Sequence, residues 1–349
     1  MKYLVTGSAG HLGEALVRTL RQLNHDVVGI DIVASDHTEV VGSICDRDLV
    51  RKCMENVDVV YHTATLHKPH IVSHSRHNFI DINVGGTLTL LEEAVKANIK
   101  GFVYTSTTSV FGDALEPSKL SAGGAVWITE DVRPIPKNIY GVTKLAAEDM
   151  CQLCHRNDGL SCLVLRTSRF FPEDDDDNQV CEEYMGENSK ANEYLHRRVE
   201  IDDVVNAHLL AGEKICDCAP GTVFDKYIIS ATTPFTRNDC VQLMQDAVAV
   251  VTRYHPEFVV IYSEINWKMY PKFSRVYDNT KARLELGWKP KYDFKHVLSI
   301  LSQSLYDNVR LASMLSAKEE GDDNGNSRYN ISIASPLACV IGKKYYHKK

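Results

Sequence analysis

The sequence predicts an α/β protein built on a doubly wound parallel sheet, with a smaller C-terminal unit that binds substrate. Three observations carry that expectation. Short apolar runs alternate with helical stretches through the first half of the chain, the pattern of a parallel sheet covered on both faces. A glycine-rich segment falls between the first strand and the first helix. A tyrosine and a lysine four positions apart, Tyr140 and Lys144, open a later helix.

The elements follow in order. Residues 2–6 form an apolar strand, 11–23 a helix and 26–31 a second strand. Val57 to His62 is a further strand, followed by a segment rich in histidine. Residues 84–98 carry Leu88, Leu91 and Val95 at helical spacing. Gly101 to Thr105 and Leu160 to Arg166 read as strands, with a helix from Tyr140 to His155 between them. Residues 171–192 are acidic and aperiodic, and regular structure resumes at 201–213 with an apolar stripe through Ile201, Val204, Val205 and Leu209. These features divide the chain into a dinucleotide-binding domain over 1–165, to which 201–230 return, and a substrate-binding region over 166–200 and 231–312. Residues 313–349 read as a flexible linker and tail, because 317–328 hold almost no apolar side chain.

Composition narrows the function. The 349 residues are 44% hydrophobic and carry a formal net charge of -7, which provides no basic field for nucleic acid. No apolar run approaches the length of a membrane span. The chain starts directly on a strand, without the basic and apolar segments of a secretory leader, and its ten cysteines are scattered; both point to the cytoplasm. Cys151 and Cys154 have CxxC spacing, but they lie within a helix and have no second pair to complete a zinc site. The histidines from His62 to His77 fit no standard metal spacing and read as a solvated loop, so no metal is expected.

The segment Gly7-Ser8-Ala9-Gly10-His11-Leu12-Gly13 reads GxxGxxG. Glycines permit a tight turn and close approach of the backbone to a pyrophosphate, and the helix that begins at His11 and Leu12 presents N–H groups and the positive end of its dipole. This is a Rossmann-type dinucleotide site. Asp31 ends the second strand, where a carboxylate accepts hydrogen bonds from a ribose diol and repels a 2′-phosphate, which selects NAD over NADP. Asp46 is a candidate for the adenine amino group, and a turn or cap role is equally open. Tyr140 and Lys144 share one helix face. An ammonium there is expected to lower the phenol's pKa and prepare it for proton exchange with a substrate hydroxyl. The hydroxyls from Thr105 to Ser109 end a strand facing the ligand crevice, which makes Thr107 and Thr108 candidate substrate contacts.

With these motifs in hand, the chain resembles the extended short-chain dehydrogenase/reductase family, in its NAD-dependent epimerase/dehydratase, UDP-glucose 4-epimerase-like group. The resemblance runs over about residues 1–310. It is carried by the glycine loop, Tyr61-His62-Thr63-Ala64, Asn83-Val84-Gly85-Gly86-Thr87, Thr105 to Gly112, the Tyr140/Lys144 pair, Ile201-Asp202-Asp203-Val204-Val205, Asp278-Asn279-Thr280-Lys281-Ala282 and Leu286-Gly287-Trp288-Lys289-Pro290. It implies that Thr107 is the catalytic hydroxyl, Tyr140 the acid/base and Lys144 the residue that orients the nicotinamide ribose. It further implies that Ala64 and Asn83 line the cofactor and that the protein is a homodimer, through helices near 86–98 and 140–156.

The family's dehydratases carry an Asp-Glu pair just after the catalytic threonine. Thr108 and Ser109 stand there instead, so water elimination falls away, and so does decarboxylation, for want of the glutamate. What remains is epimerisation of a sugar or nucleotide sugar through a transient keto intermediate, net oxidation or reduction of a sugar or other secondary alcohol, or non-catalytic sensing of NAD. Arg169 replaces the asparagine that touches substrate phosphates in the family. Arg169, Arg197 and Arg198 are candidates for an anionic substrate, the last two alternatively for pairing with the acidic run 173–177. His67 falls near a lysine that some epimerases use for the cofactor.

Overall fold

The computed structural model describes residues 1–116, 123–173 and 178–316. Seven parallel strands make the main sheet: β1 (Lys2–Thr6), β2 (Asp26–Asp31), β3 (Val40–Val41), β4 (Val59–His62), β5 (Gly101–Thr107), β7 (Cys162–Thr167) and β8 (Phe224–Ile229). Their order across the sheet is β3-β2-β1-β4-β5-β7-β8. The chain winds outward from β1 to β3, then crosses back and winds the other way from β4. The carboxyl ends of β1 and β4 therefore flank the point where strand order reverses, the crevice in which doubly wound sheets bind ligands. A second, two-stranded parallel sheet joins β6 (Val126–Ile128) to β9 (Arg275–Tyr277).

Both sheet faces are covered, which is why β1, β4, β5 and β7 read as nearly continuous apolar runs. On one face, helices His11–Gln22 and Ile201–Asp217 pack Leu16, Leu20, Val204 and Ile215 against Val5, Val59 and Val103. On the other, helices Arg47–Cys53, Thr87–Lys96 and Ile139–Asp158 pack Val50, Leu90, Leu91 and Cys151 against Leu4, Val60 and Val164. A separate apolar core holds the C-terminal lobe together, with Tyr194, Leu195, Val250, Phe273 and Leu301 at its centre.

The strand and helix expectations are met closely over residues 2–31, and several others shift. The helix expected over 84–98 begins earlier: a π-helical stretch, Ile80–Gly86, runs into the α-helix Thr87–Lys96. The aperiodic acidic stretch contains two helices, Asn178–Glu183 and Gly186–Glu193. The last helix runs from Phe294 to Ser316, past the point where a linker is expected. Asp174 to Asp177 and the tail beyond 316 lie outside the described residues. No described helix is long and apolar enough to cross a membrane.

Candidate active site

A cavity of about 950 Å³ follows the carboxyl ends of β1, β2, β4, β5 and β7. At its floor the chain turns sharply from β1 into helix His11–Gln22. Gly7 has a φ of +74°, and its N–H donates to the Ile30 carbonyl at 2.8 Å. A Cβ on Gly7 would lie 2.8 Å from the Ala64 nitrogen, and one on Gly13 would overlap the Gly7 carbonyl oxygen. Strand, turn and helix thus approach as closely as backbone allows, and only glycine fits. Gly10 is the helix N-cap and has no side chain with which to cap the first turn.

Asp31 sits at the lip. Its carboxylate accepts from the Ala9 N–H at 3.1 Å and the Val33 N–H at 2.9 Å. These bonds fix it beside the glycine turn, and the residues that follow on this wall, Ile32 to Ser35, bring no cation for a 2′-phosphate. The Tyr61–Ala64 segment is held by Thr6, whose hydroxyl accepts from the Thr63 and Ala64 N–H groups at 3.2 and 3.1 Å. His62, wholly buried, bridges the Thr6 hydroxyl at 2.7 Å and the Thr87 hydroxyl at 2.9 Å. Burial holds its pKa well below the usual histidine range, with Lys144 acting in the same direction, so it serves as a neutral strut.

Thr107 and Tyr140 meet across the cavity's middle. Thr107 ends β5, and its hydroxyl accepts from the Ser109 N–H at 3.1 Å. Helix Ile139–Asp158 starts under Asn138, whose side chain accepts from the Gly141 N–H at 2.9 Å. Gly141 lets this helix close on the β5 turn, because a Cβ there would lie 2.9 Å from the Ser109 carbonyl oxygen. The approach brings the Thr107 hydroxyl close enough to the Tyr140 phenol to act on its proton. Thr108 and Ser109 line the cavity beside them.

Burial raises the Tyr140 phenol above its usual value, and the bond from Thr107 opposes that rise. Burial also pushes Lys144 down to about 7, with Glu148 pulling the other way. Its amine sits 4.2 Å above the Tyr104 ring. The expectation that an ammonium lowers the tyrosine pKa is therefore corrected. Lys144 is buried too, and desolvation removes much of its charge near neutral pH before it can act on the phenol.

Three further expectations change. Asp46 does not line the cavity; it caps helix Arg47–Cys53, accepting from the Leu49 N–H at 3.1 Å. Asn83 lies behind the wall. Its amide holds the Leu66 N–H at 2.7 Å, the Leu66 carbonyl at 3.0 Å and the Thr143 hydroxyl at 3.1 Å, so it ties the loop after β4 to the helix bearing Tyr140. Arg198 is buried against Glu193 at 3.0 Å and donates to the Phe171 carbonyl at 2.6 Å, away from the cavity. Its neighbours Arg169 and Arg197 do line it, as does Arg275 of β9, which sequence reasoning did not single out.

His67 is also in the wall and not out in a solvated loop. Its ring centre lies 5.3 Å from that of Tyr140 and 4.4 Å from that of Phe171. With His11 and Phe170 these rings form an aromatic side to the cavity. Among the described residues, no group of three or more histidines, cysteines or acids comes together as a metal site.

A narrow turn at a helix N-terminus, an acidic residue at the end of the second strand and a buried Thr-Tyr-Lys set on one crevice define a dinucleotide-dependent enzyme of the short-chain dehydrogenase/reductase class. The model of the NAD dependent epimerase/dehydratase family matches residues 3–224, and the chain belongs to that family. It is an NAD-dependent enzyme of the extended type, and NAD is its cofactor. The chain is 26% identical over 333 residues to a UDP-glucose 4-epimerase from Lactobacillus helveticus, covering 84% of this chain and 93% of that protein. It is 30% identical over 186 residues to an L-arabinose 1-dehydrogenase (NAD(P)(+)) from Haloferax volcanii, covering 51% of this chain and 71% of that one. In fold it matches a UDP-glucose 4-epimerase from Thermotoga maritima solved with UDP-glucose, at a TM-score of 0.61 and 21% identity, over 88% of this chain and all of the other. A short-chain dehydrogenase/reductase superfamily protein from Agrobacterium tumefaciens with bound NAD matches at 0.62 and 21%, over 90% of this chain and all of the other.

Proposed function

We propose that the protein is an NAD-dependent epimerase of a sugar or nucleotide sugar, working through a transient keto intermediate. The observation that carries this reading is that Thr107 and Tyr140 line the cavity together, close enough for the Thr107 hydroxyl to act on the phenol, with no carboxylate beside them among the described residues to drive elimination of water. The backbone from Gly7 to Gly13 holds the pyrophosphate of NAD, and Asp31 accepts from its adenosine ribose. Bound NAD supplies acceptance and return of a hydride at the substrate's carbinol carbon. Thr107 holds the reacting substrate oxygen. As the phenolate, Tyr140 takes the hydroxyl proton when the carbonyl forms, and as the phenol so produced it returns that proton when the carbonyl is reduced. The raised phenol suits the second half of that cycle, because it keeps the proton available for the keto oxygen.

Net oxidation of a sugar is the second reading, favoured by the likeness to an L-arabinose 1-dehydrogenase. Incubation of the NAD-loaded protein with free and nucleotide-linked sugars, followed by proton NMR and NADH absorbance, separates the two. A new epimer without NADH supports epimerisation, and steady NADH release replaces it with dehydrogenation. Tyr140→Phe is expected to lower turnover by roughly 10²–10⁴-fold while leaving NAD affinity unchanged; a variant as active as wild type would refute the role of Tyr140.

A further inference from the structure

Strand β5 turns Phe102, Tyr104 and Ser106 toward helix Ile139–Asp158, and Val103 and Thr105 toward the other face of the sheet, as alternation along a strand requires. Tyr104 is wholly buried there, and the Lys144 amine stands 4.2 Å above the centre of its ring. The Tyr104 hydroxyl has no hydrogen-bond partner among the described residues. A buried hydroxyl left unpaired costs stability that a phenylalanine of the same shape would avoid. The contacts of Tyr104 are therefore those of its ring. Lys144 lines the cavity with Thr107 and Tyr140. Among the described residues, no hydrogen bond or ion pair to its amine accompanies the contact with the ring.

The other groups around this amine are committed elsewhere or carry no charge. Its own helix brings the Tyr140 phenol, the Cys151 thiol and, one turn on, Glu148. Glu148 favours the charged amine, but its carboxylate already meets Arg166 at 2.8 Å, Ser106 at 2.5 Å and Lys226 at 3.3 Å. From β4 comes His62, held neutral by burial, with its ring centre 5.5 Å from that of Tyr104. From β7 comes Arg166, a like charge spent on Glu148. Desolvation works against a cation here, and the Tyr104 face is the electron-rich surface in direct contact with it. A ring face attracts a cation within about 6 Å of its centre, most strongly where water is excluded. That attraction acts on an ammonium and not on a neutral amine. The ring therefore favours the proton on Lys144 and also fixes where the amine sits.

We propose that Tyr104 is a positioning residue for this site: the face of its ring holds the Lys144 side chain at the cavity wall as an ammonium. This rests on the reading of the cavity as the catalytic site, and adds the group behind the wall that keeps a cation next to Tyr140. An ammonium there favours the phenolate that takes the substrate proton.

The proton on Lys144 can be followed without any substrate. Full-length protein is prepared with isotope-labelled lysine, and the side-chain resonance that is missing from Lys144→Met is tracked by NMR as the pH is raised. Tyr104→Leu is expected to lower the midpoint of that titration by about one pH unit, a tenfold weaker hold on the proton. Tyr104→Phe keeps the ring face, gives up only the unpartnered hydroxyl, and is expected to leave the midpoint unchanged. A ring-fluorinated phenylalanine at position 104 keeps the shape and draws electrons from the face. Its midpoint is expected to fall below that of Tyr104→Phe, which decides the question even if Tyr104→Leu fails to fold. An unchanged midpoint in the fluorinated protein or in folded Tyr104→Leu, or an equal fall in Tyr104→Phe, would overturn the proposal. Failure of the catalytic reading looks different: the midpoints move as expected, and wild-type protein loaded with NAD gives neither epimer nor NADH from sugars.

Discussion

Gly13→Ala is the sharpest test of how the cofactor site is built. A methyl group at position 13 overlaps the Gly7 carbonyl oxygen and lies 2.9 Å from the Ser8 Cα. Neither neighbour is a flexible side chain. The Gly7 N–H is tied to Ile30, and the Gly10 N–H donates to the Gly7 carbonyl at 2.9 Å. The turn must therefore move away from the helix start as a unit. Displacement on the order of 1 Å is enough to cost about 100-fold where groups must be held in place. Loss of two N–H bonds to a charged pyrophosphate gives a similar figure, about 3 kcal/mol. Calorimetric titration with NAD is expected to show an affinity about 100-fold weaker, with a circular dichroism spectrum like that of wild type. Gly85→Ala is the control: a Cβ there meets only the Ile80 carbonyl, at 3.9 Å, and affinity should not change. A folded Gly13→Ala protein that binds NAD within about threefold of wild type would refute the close-packing argument.

Two further predictions concern buried charge. Burial lowers Lys144 from 10.5 to about 7, so between those values the unfolded chain binds the extra proton and the folded chain does not. Stability should rise with pH across that window. Denaturant midpoints of the cofactor-free protein at about pH 7 and about pH 9 should show this rise in wild type and lack it in Lys144→Met; parallel behaviour of the two proteins would count against a buried amine. Glu148 meets Arg166 at 2.8 Å and Ser106 at 2.5 Å, with both charged side chains almost wholly enclosed. Glu148→Ala strands the Arg166 guanidinium and should destabilise the fold by about 3–5 kcal/mol in urea titration. Asp48→Ala, which breaks the exposed pair with Arg51, should have no measurable effect; similar losses from both would contradict the role given to burial.

The parts of this molecule legible in the sequence are those whose signal is local. The β1–turn–helix unit announces itself because strand periodicity, glycine spacing and helix periodicity occur within residues 2–22. Tyr140 and Lys144 are visible for the same reason. The parts that escaped are fixed by distant partners. β6 has three residues and exists because Arg275–Tyr277 pairs with it. Phe224–Ile229, with charged Asp225 and Lys226 near its start, carries no clean alternation and becomes a strand by pairing with β7. Asn83 and Asp46 are polar residues for which one chemistry serves several roles, and only packing shows that one staples and the other caps. Burial likewise inverts the expected electrostatics of Tyr140 and Lys144, since desolvation depends on neighbours that no spacing rule reveals.

The mixed origin of the cavity wall has a consequence for how this scaffold can change. Thr107, Tyr140 and Lys144 all hang from the seven-stranded sheet and its covering helix, whereas Arg197 and Arg275 come from segments beyond it. Exchanging residues 186–198 and 262–277 for those of a relative would replace Arg197 and Arg275 in the cavity wall and leave Thr107, Tyr140 and Lys144 in place. The cavity wall is thus written in separable stretches of chain, and short pieces of it can be transplanted without rebuilding the sheet.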